Sequence, residues 1–215
     1  MEGVESIFIV TPPAPNLEEL EGNAVDAAQA VGVKHIVKLS VWCAEQGEFL
    51  FAEPHGAIEK QIKASGIPFT FLRPTGFMQN MLANAPTIEA QGAFYAPAGP
   101  ARVAEIDFRD VARVAVVTLL ENGHAGKAYE LSGPEAMSHS ERAEVLSKVL
   151  GKKIEYVSPT DAEWKAMVLG FGVPEWQADG VIDLLHYYKA GKSQRVSPSV
   201  EDVTGAKPID YRQFV

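Results

Sequence analysis

Residues 35–76 read HIVKLSVWCAEQGEFLFAEPHGAIEKQIKASGIPFTFLRPTG, and their reading decides the fold. His35 to Ser40 is a short apolar run with β-branched residues, the pattern of a strand buried on both faces. A helix is predicted from about Pro54, with proline at a first-turn position, to Ala64, ended by Gly66. Pro68 to Leu72 is a second strand, stopped by Arg73-Pro74-Thr75-Gly76. Upstream, Ile7 to Val10 is another unbroken apolar run, predicted to be buried on both faces and halted by Thr11, Pro12 and Pro13. Between them, Leu17 to Val31 carries Leu20, Val25, Ala28 and Val31 at helical spacing, with acidic residues in front and Gly32 behind. Strand, helix, strand, helix, strand with such short connections is a parallel α/β unit with right-handed crossovers. Only six residues precede Ile7, yet a buried parallel strand needs neighbours.

The bulk composition bounds the rest. The chain has 215 residues, of which 47% are hydrophobic and 22% charged, enough for one sizeable core or a core plus a small lobe. A net charge of −9 and a pI near 5.1 argue against nucleic acid or an anionic membrane as the main partner. The single cysteine, Cys43, excludes an internal disulfide and a cysteine-based metal site, and fits a reducing, cytoplasmic setting. No apolar stretch approaches the ~20 residues that a membrane-spanning helix needs.

The second half is more mixed. Arg102 to Ile106 reads as a short strand, and Asp107 or Asp110 as the start of a helix running through Leu120. Ala128 to Leu131 is a strand entering Ser132-Gly133-Pro134. Ser138-His-Ser-Glu141 has capping-box spacing before a helix with Val145, Leu146, Val149 and Leu150. Ile154 to Val157 is another strand, followed by two helices rich in Trp164, Met167, Trp176, Leu184, Leu185 and Tyr187. A substrate-covering lobe and a plain helical cap both explain that aromatic content.

Several blocks, in order and spacing, carry a resemblance: GVKHIVKLS, HGAIEKQIKASGIPFTFLRPTGFMQN, IDFRDVARVAV, GKAYELSGPEAMSHSERAEVLSKVLGK and the closing VEDVTGAKPIDYRQF. Together they resemble the NmrA-like group of atypical short-chain dehydrogenase/reductases over essentially the whole chain. The resemblance implies an α/β fold: a partial Rossmann domain, a doubly wound parallel sheet, with a small C-terminal α+β substrate lobe. It implies a Rossmann part over residues 1–92 and substrate-lobe elements over 93–215, interleaved with the last Rossmann strands and helices at about 102–132. In that family IFIV would be the fourth strand. The three strands before it, and the glycine-rich turn after the first, have no counterpart in the sequence, a shortfall of roughly 70 to 80 residues at ~30 per βαβ unit. The glycines Gly92, Gly99, Gly123, Gly126, Gly170 and Gly172 show no strand–glycine-turn–helix arrangement to cradle a pyrophosphate. A fragment of a longer product, an internal start and a naturally truncated relative all fit this.

The resemblance implies half of a cofactor site, for NADP or NAD, with binding by this chain alone expected to be weak or nil. Thr11, Pro12 and Pro13 lie at a strand's carboxyl end, where relatives place backbone against the ribose and nicotinamide side. Ser40 matches the family's catalytic serine or threonine. Pro74, Thr75, Gly76 and Phe77 match the segment against the nicotinamide, with a glycine that permits close backbone approach. The Tyr-x-x-x-Lys pair of many relatives is absent: no tyrosine occurs between Ser40 and Tyr95. His55 stands near the position where some relatives carry a lysine, with Glu59 one turn away. A carboxylate beside the imidazole would raise its pKa and suit a general acid; the alternative is an exposed His–Glu pair. Lys38 sits either at the site or at a sheet edge.

No metal is expected, because His35, His124, His139 and His186 lack ligand spacing. Asp107 and Asp110 read as helix-start residues, Trp164, Trp176 and Tyr187 as core, and Cys43 as lacking a base. Three functions remain. One is an NAD(P)-dependent oxidoreductase transferring hydride to a small carbonyl or quinone. The second is a dinucleotide-sensing regulator acting through a protein partner, and the third a truncated, non-catalytic chain. The strand at 7–10, lacking its neighbour, is expected to self-associate as an unguarded sheet edge.

Overall fold

The structure, a computed structural model, describes residues 3–215. In chain order the elements begin β1 (Ser6–Ile9), α1 (Leu17–Ala30), β2 (His35–Leu39), α2 (Ala52–Ser65) and β3 (Phe69–Pro74). A 3-10 helix (Met78–Asn84) leads to α3 (Ala85–Gln91), β4 (Ala93–Tyr95), β5 (Arg102–Val103), α4 (Phe108–Leu120) and β6 (Lys127–Leu131). The remainder is β7 (Met137–Ser138), α5 (His139–Leu150), β8 (Glu155–Val157), α6 (Asp161–Gly170), α7 (Glu175–Lys189), α8 (Ser199–Thr204) and α9 (Tyr211–Phe214). Among the described residues no helix is long and apolar enough to cross a membrane.

The chain divides into two compact units. The first comprises the residues up to Pro74, Arg109–Leu131 and Pro198–Ala206; the second comprises Thr75–Phe108, Ser132–Ser197 and Lys207–Val215.

The first unit is a four-stranded sheet in the order β1-β2-β3-β6, parallel throughout. One of its faces packs under α1 and α2 through Ile9, Leu17, Val25, Ala28, Ile36, Ile58, Ile62 and Phe71. The register sets Ile9 beside Lys38 and Lys38 beside Phe71. Since side chains alternate along a strand, the sheet face under the helices reads Ile7-Ile9-Thr11, Ile36-Lys38-Ser40 and Phe69-Phe71-Arg73. Each row is apolar at its start and polar at its carboxyl end. That gradient builds the site.

Two expectations are corrected here. β1 is not buried on both faces: Ile9 is buried, but Phe8, on the face away from α1 and α2, is 38% exposed; among the described residues β1 pairs with β2 only and lies at the sheet edge. The buried stripe of α1 is Leu17, Glu21, Val25 and Ala28, while Leu20 and Val31 face solvent. The stripe is shifted by one position so that a glutamate, not a leucine, enters the core.

In the second unit β4 pairs in parallel with β8, and β5 antiparallel with β7. The capping box at Ser138 and Glu141 forms as the sequence indicates, each side chain bonding the other residue's backbone N–H. Arg142, buried on α5, donates to the Val103 carbonyl at 2.9 Å and pairs with Glu105 at 2.7 Å. Thr75, Gly76 and Phe77 run beside Ala104 to Ile106: Thr75 Oγ1 donates to the Ala104 carbonyl at 2.6 Å, and Ile106 N–H to the Gly76 carbonyl at 2.9 Å.

Candidate active site

The polar ends of the strand rows in the first unit meet polar residues from the helices above them. Two hydrogen-bonded chains result. In the first, Thr11 Oγ1 donates to Glu21 at 2.6 Å, and the other oxygen of Glu21 takes a short hydrogen bond from Lys38 Nζ. Lys38 Nζ also donates to the Leu39 carbonyl at 3.0 Å and lies 3.1 Å from His55 Nδ1. In the second, Ser40 Oγ donates to Glu59 at 2.6 Å, and Arg73 grips the same carboxylate through Nε at 2.9 Å and through Nη2. Arg73 also reaches Glu45 at 2.8 Å.

Burial gives these contacts their weight. Lys38, Glu21 and Glu59 are at most 1% exposed and Arg73 is 7% exposed, and charges so far from water persist only when paired and fully hydrogen-bonded. Lys38 lies in an inner strand, flanked by β1 and β3, not at a sheet edge. Burial lowers its pKa, opposed by Glu21 and Glu59. Arg73 and Lys63 hold the Glu45 carboxyl down at about 2.

His55 behaves differently from the expectation. Glu59 is committed to Ser40 and Arg73, and the neighbour of the imidazole is the Lys38 ammonium. Burial first, and the Lys38 charge second, push the His55 pKa down to about 3. His55 is therefore neutral at physiological pH, and both the carboxylate-tuned imidazolium and the exposed His–Glu pair are overturned. Its Nε2 makes no hydrogen bond among the described residues. The turn of helix that carries it is pressed onto the preceding loop at Gly56, where a Cβ would sit 2.5 Å from the Ala44 carbonyl oxygen.

The structure thus joins Thr11 to His55 through Glu21 and Lys38, and sets Ser40 on a separate chain with Glu59 and Arg73, all residues that the sequence reading passed over or left open. The signal that could have found Glu21 is its spacing of four residues from both Leu17 and Val25, which puts an acid on their face of α1. Pro12 and Pro13 are exposed in the loop from β1 to α1, and Pro74 is buried at the end of β3. Thr75, Gly76 and Phe77 belong to the second unit. There Gly76 is closely approached by Tyr188: a Cβ at Gly76 would lie 2.7 Å from its hydroxyl oxygen and 3.4 Å from Glu105 Cγ.

A parallel α/β sheet with a buried, paired set of Ser, His, Lys and Glu at the carboxyl ends of its strands is the plan of a ligand-binding or catalytic Rossmann-like protein. The chain belongs to the NmrA-like family, which it matches over residues 1–208. It is similar to an NAD(P)H azoreductase of Xenophilus azovorans, 35% identical over 213 residues, which are 99% of this chain and 74% of that protein. Among solved structures it resembles the NADPH complex of an NADPH-dependent quinone oxidoreductase from Escherichia coli (TM-score 0.91, 29% identity, 99% of this chain and 76% of that one). It also resembles the NADP(H) complex of Citrobacter sp. triphenylmethane reductase (TM-score 0.88, 27% identity, 99% and 76% covered). The chain spans about three quarters of the length of these relatives.

Proposed function

We propose that the chain is an NAD(P)H-dependent oxidoreductase that reduces a small quinone or carbonyl compound, with the first unit as its dinucleotide side and the second as its substrate lobe. The observation that carries this reading is His55: a neutral imidazole at the carboxyl end of the sheet with a bonded Nδ1 and an open Nε2. Family membership supplies the chemical class. When bound, the dinucleotide supplies a hydride; the chain must then provide an orienting hydroxyl, Ser40, and a proton donor, His55. Ser40 spends its hydrogen on Glu59, so to orient a carbonyl oxygen it must turn that hydrogen from Glu59 to the substrate.

The residues present fit the reducing end of the dinucleotide and not its pyrophosphate. The loop from β1 to α1, residues 10–16, contains no glycine, and α1 opens with Glu18 and Glu19, which repel phosphate. α2 opens with Glu53 and Pro54. The chain is therefore expected to bind NADPH or NADH only weakly, and calorimetry showing micromolar affinity would contradict this. At saturating NADPH, quinone-dependent oxidation of the cofactor should be measurable, and His55→Ala should lower kcat ~10²-fold. An unchanged kcat would remove His55 from the chemistry. The paired, buried set favours this enzymatic reading over a non-catalytic one. The single cysteine of the sequence, Cys43, is in keeping with a cytoplasmic setting.

The edge strand supports self-association as part of the same reading. Phe8 and Val10 are exposed at β1, and Ile7 to Thr11 line a shallow groove of about 300 Å³ with Leu20, Glu21 and Ala24. No lysine or proline blunts the strand itself, and such an edge is a template for another chain. Phe8→Lys is expected to shift the protein toward monomer in sedimentation experiments. A wild-type chain that stays monomeric at high concentration, with rapid hydrogen exchange at the outward-facing Phe8 and Val10 amides, would refute it.

A further inference from the structure

Lys38 is placed to do more than neutralise Glu21. An ammonium nitrogen has no lone pair, so His55 Nδ1, 3.1 Å away, must accept, and the proton of the neutral ring sits on Nε2. A neutral imidazole is a poor acid on its own, because losing Nε2–H would leave an imidazolate. That difficulty vanishes if Nδ1 gains a proton in the same step, and Lys38 is the group bonded to Nδ1.

We propose that Lys38 is the source of the proton that His55 delivers. The Nε2–H bond breaks as an O–H bond forms on the substrate oxygen, and a Lys38 Nζ–H bond breaks as the Nδ1–H bond forms. The ring ends neutral in its other tautomer, Lys38 becomes an amine, and the oxygen anion left by hydride addition becomes a hydroxyl. The ring then returns its Nδ1 proton to the Lys38 amine as Nε2 takes one from water, which restores both starting forms. Thr11, half-exposed and bonded to the far oxygen of Glu21, marks where the chain of hydrogen bonds meets solvent. The charges around Lys38 are Glu21 from α1 and Glu59 from α2, with Arg73 from β3 held on Glu59; the titratable group facing it is His55. Burial of the ammonium eases its loss of a proton, and the two carboxylates restore it. This rests on the reading of His55 as donor, and the test separates the two.

Nitrogen NMR of the wild-type chain, labelled at histidine and lysine, reads the link without catalysis. At neutral pH His55 should be the Nε2–H tautomer. As pH rises, Lys38 should lose its proton below the ordinary lysine value of ~10.4, and His55 should switch to the Nδ1–H tautomer in that same titration. A ring that keeps Nε2–H after Lys38 deprotonates, or that is already Nδ1–H at neutral pH, overturns the proposal. Lys38→Arg is the kinetic counterpart: its guanidinium still donates to Nδ1 but does not release a proton. Quinone reduction at saturating NADPH should then fall nearly as far as in His55→Ala, ~10²-fold. Loss of rate in His55→Ala but not in Lys38→Arg overturns the relay alone. Loss in neither overturns the donor reading beneath it.

Discussion

Replacing Glu59 by alanine is expected to destabilise the protein by about 3–5 kcal/mol, the cost of stranding one member of a buried ion pair. Glu59 is 1% exposed and accepts from both Ser40 and Arg73. Without it the Arg73 guanidinium keeps only Glu45, whose side chain is 53% exposed and held largely in water. Against a total stability of about 5–15 kcal/mol, that loss is enough to unfold a marginal domain near physiological temperature. Glu59→Gln, which keeps the shape and one accepting oxygen but turns the other acceptor into a donor, should cost less than alanine. Urea denaturation with an unchanged m-value measures both. A midpoint shift equivalent to under about 1 kcal/mol for Glu59→Ala would mean that Arg73 finds a new partner and that the network is not structural.

Acid lability is expected to set in well above the range where carboxylates titrate. His55 and His139 each have a folded pKa of about 3, for the same first cause, burial, with the charge of Lys38 or Arg142 second. His139 Nδ1 is buried with no hydrogen-bond partner among the described residues. An unfolded histidine takes up its proton near pH 6.5, so below that value the unfolded chain binds protons that the folded chain refuses. Stability is therefore full above pH ~6.5 and falls as the pH drops toward 3, with two groups contributing roughly 2.7 kcal/mol per pH unit between those limits. Glu45, depressed to about 2, adds a further loss only below its unfolded value near 4.5. Denaturation midpoints from pH 7 to pH 5 test this directly; a flat profile would mean that both rings are protonated in the folded state. His139→Gln should halve the slope and leave the His55 contribution in place.

Local signals carried the sheet and much of the helix pattern. β2 is a largely apolar stretch, β3 an apolar run set between Pro68 and Gly76, α2 ends at Gly66 in a left-handed conformation, and α5 starts at its capping box, so each could be read from neighbours in the sequence. β4, Ala93–Tyr95, could not, because its partner β8 lies some sixty residues away and only that pairing makes three residues a strand. The site was legible in its residue types and not in its pairings. Ser40 and His55 stood out by position, and Glu59 was assigned to His55 because they share a helix face. The deciding competitor was Arg73, which the sequence presents as the residue ending a strand; its bidentate claim on Glu59 leaves His55 to Lys38. Such choices depend on which strands are neighbours, and helical spacing alone does not contain that information.

The division of the chain has a consequence for how the protein can be cut or rebuilt. Segments of the two units alternate, so the backbone passes between them at 74/75, 108/109, 131/132, 197/198 and 206/207. No single proteolytic cut releases either unit, and neither can be expressed as one contiguous piece or exchanged with a relative by one crossover. β6 illustrates the dependence: it completes the first sheet beside β3, yet more than thirty residues of the second unit, Thr75–Phe108, separate it from that strand in sequence. A nicked chain should therefore stay associated and migrate as one particle until denaturant is added, and grafts between family members have to be designed as sets of residues in space.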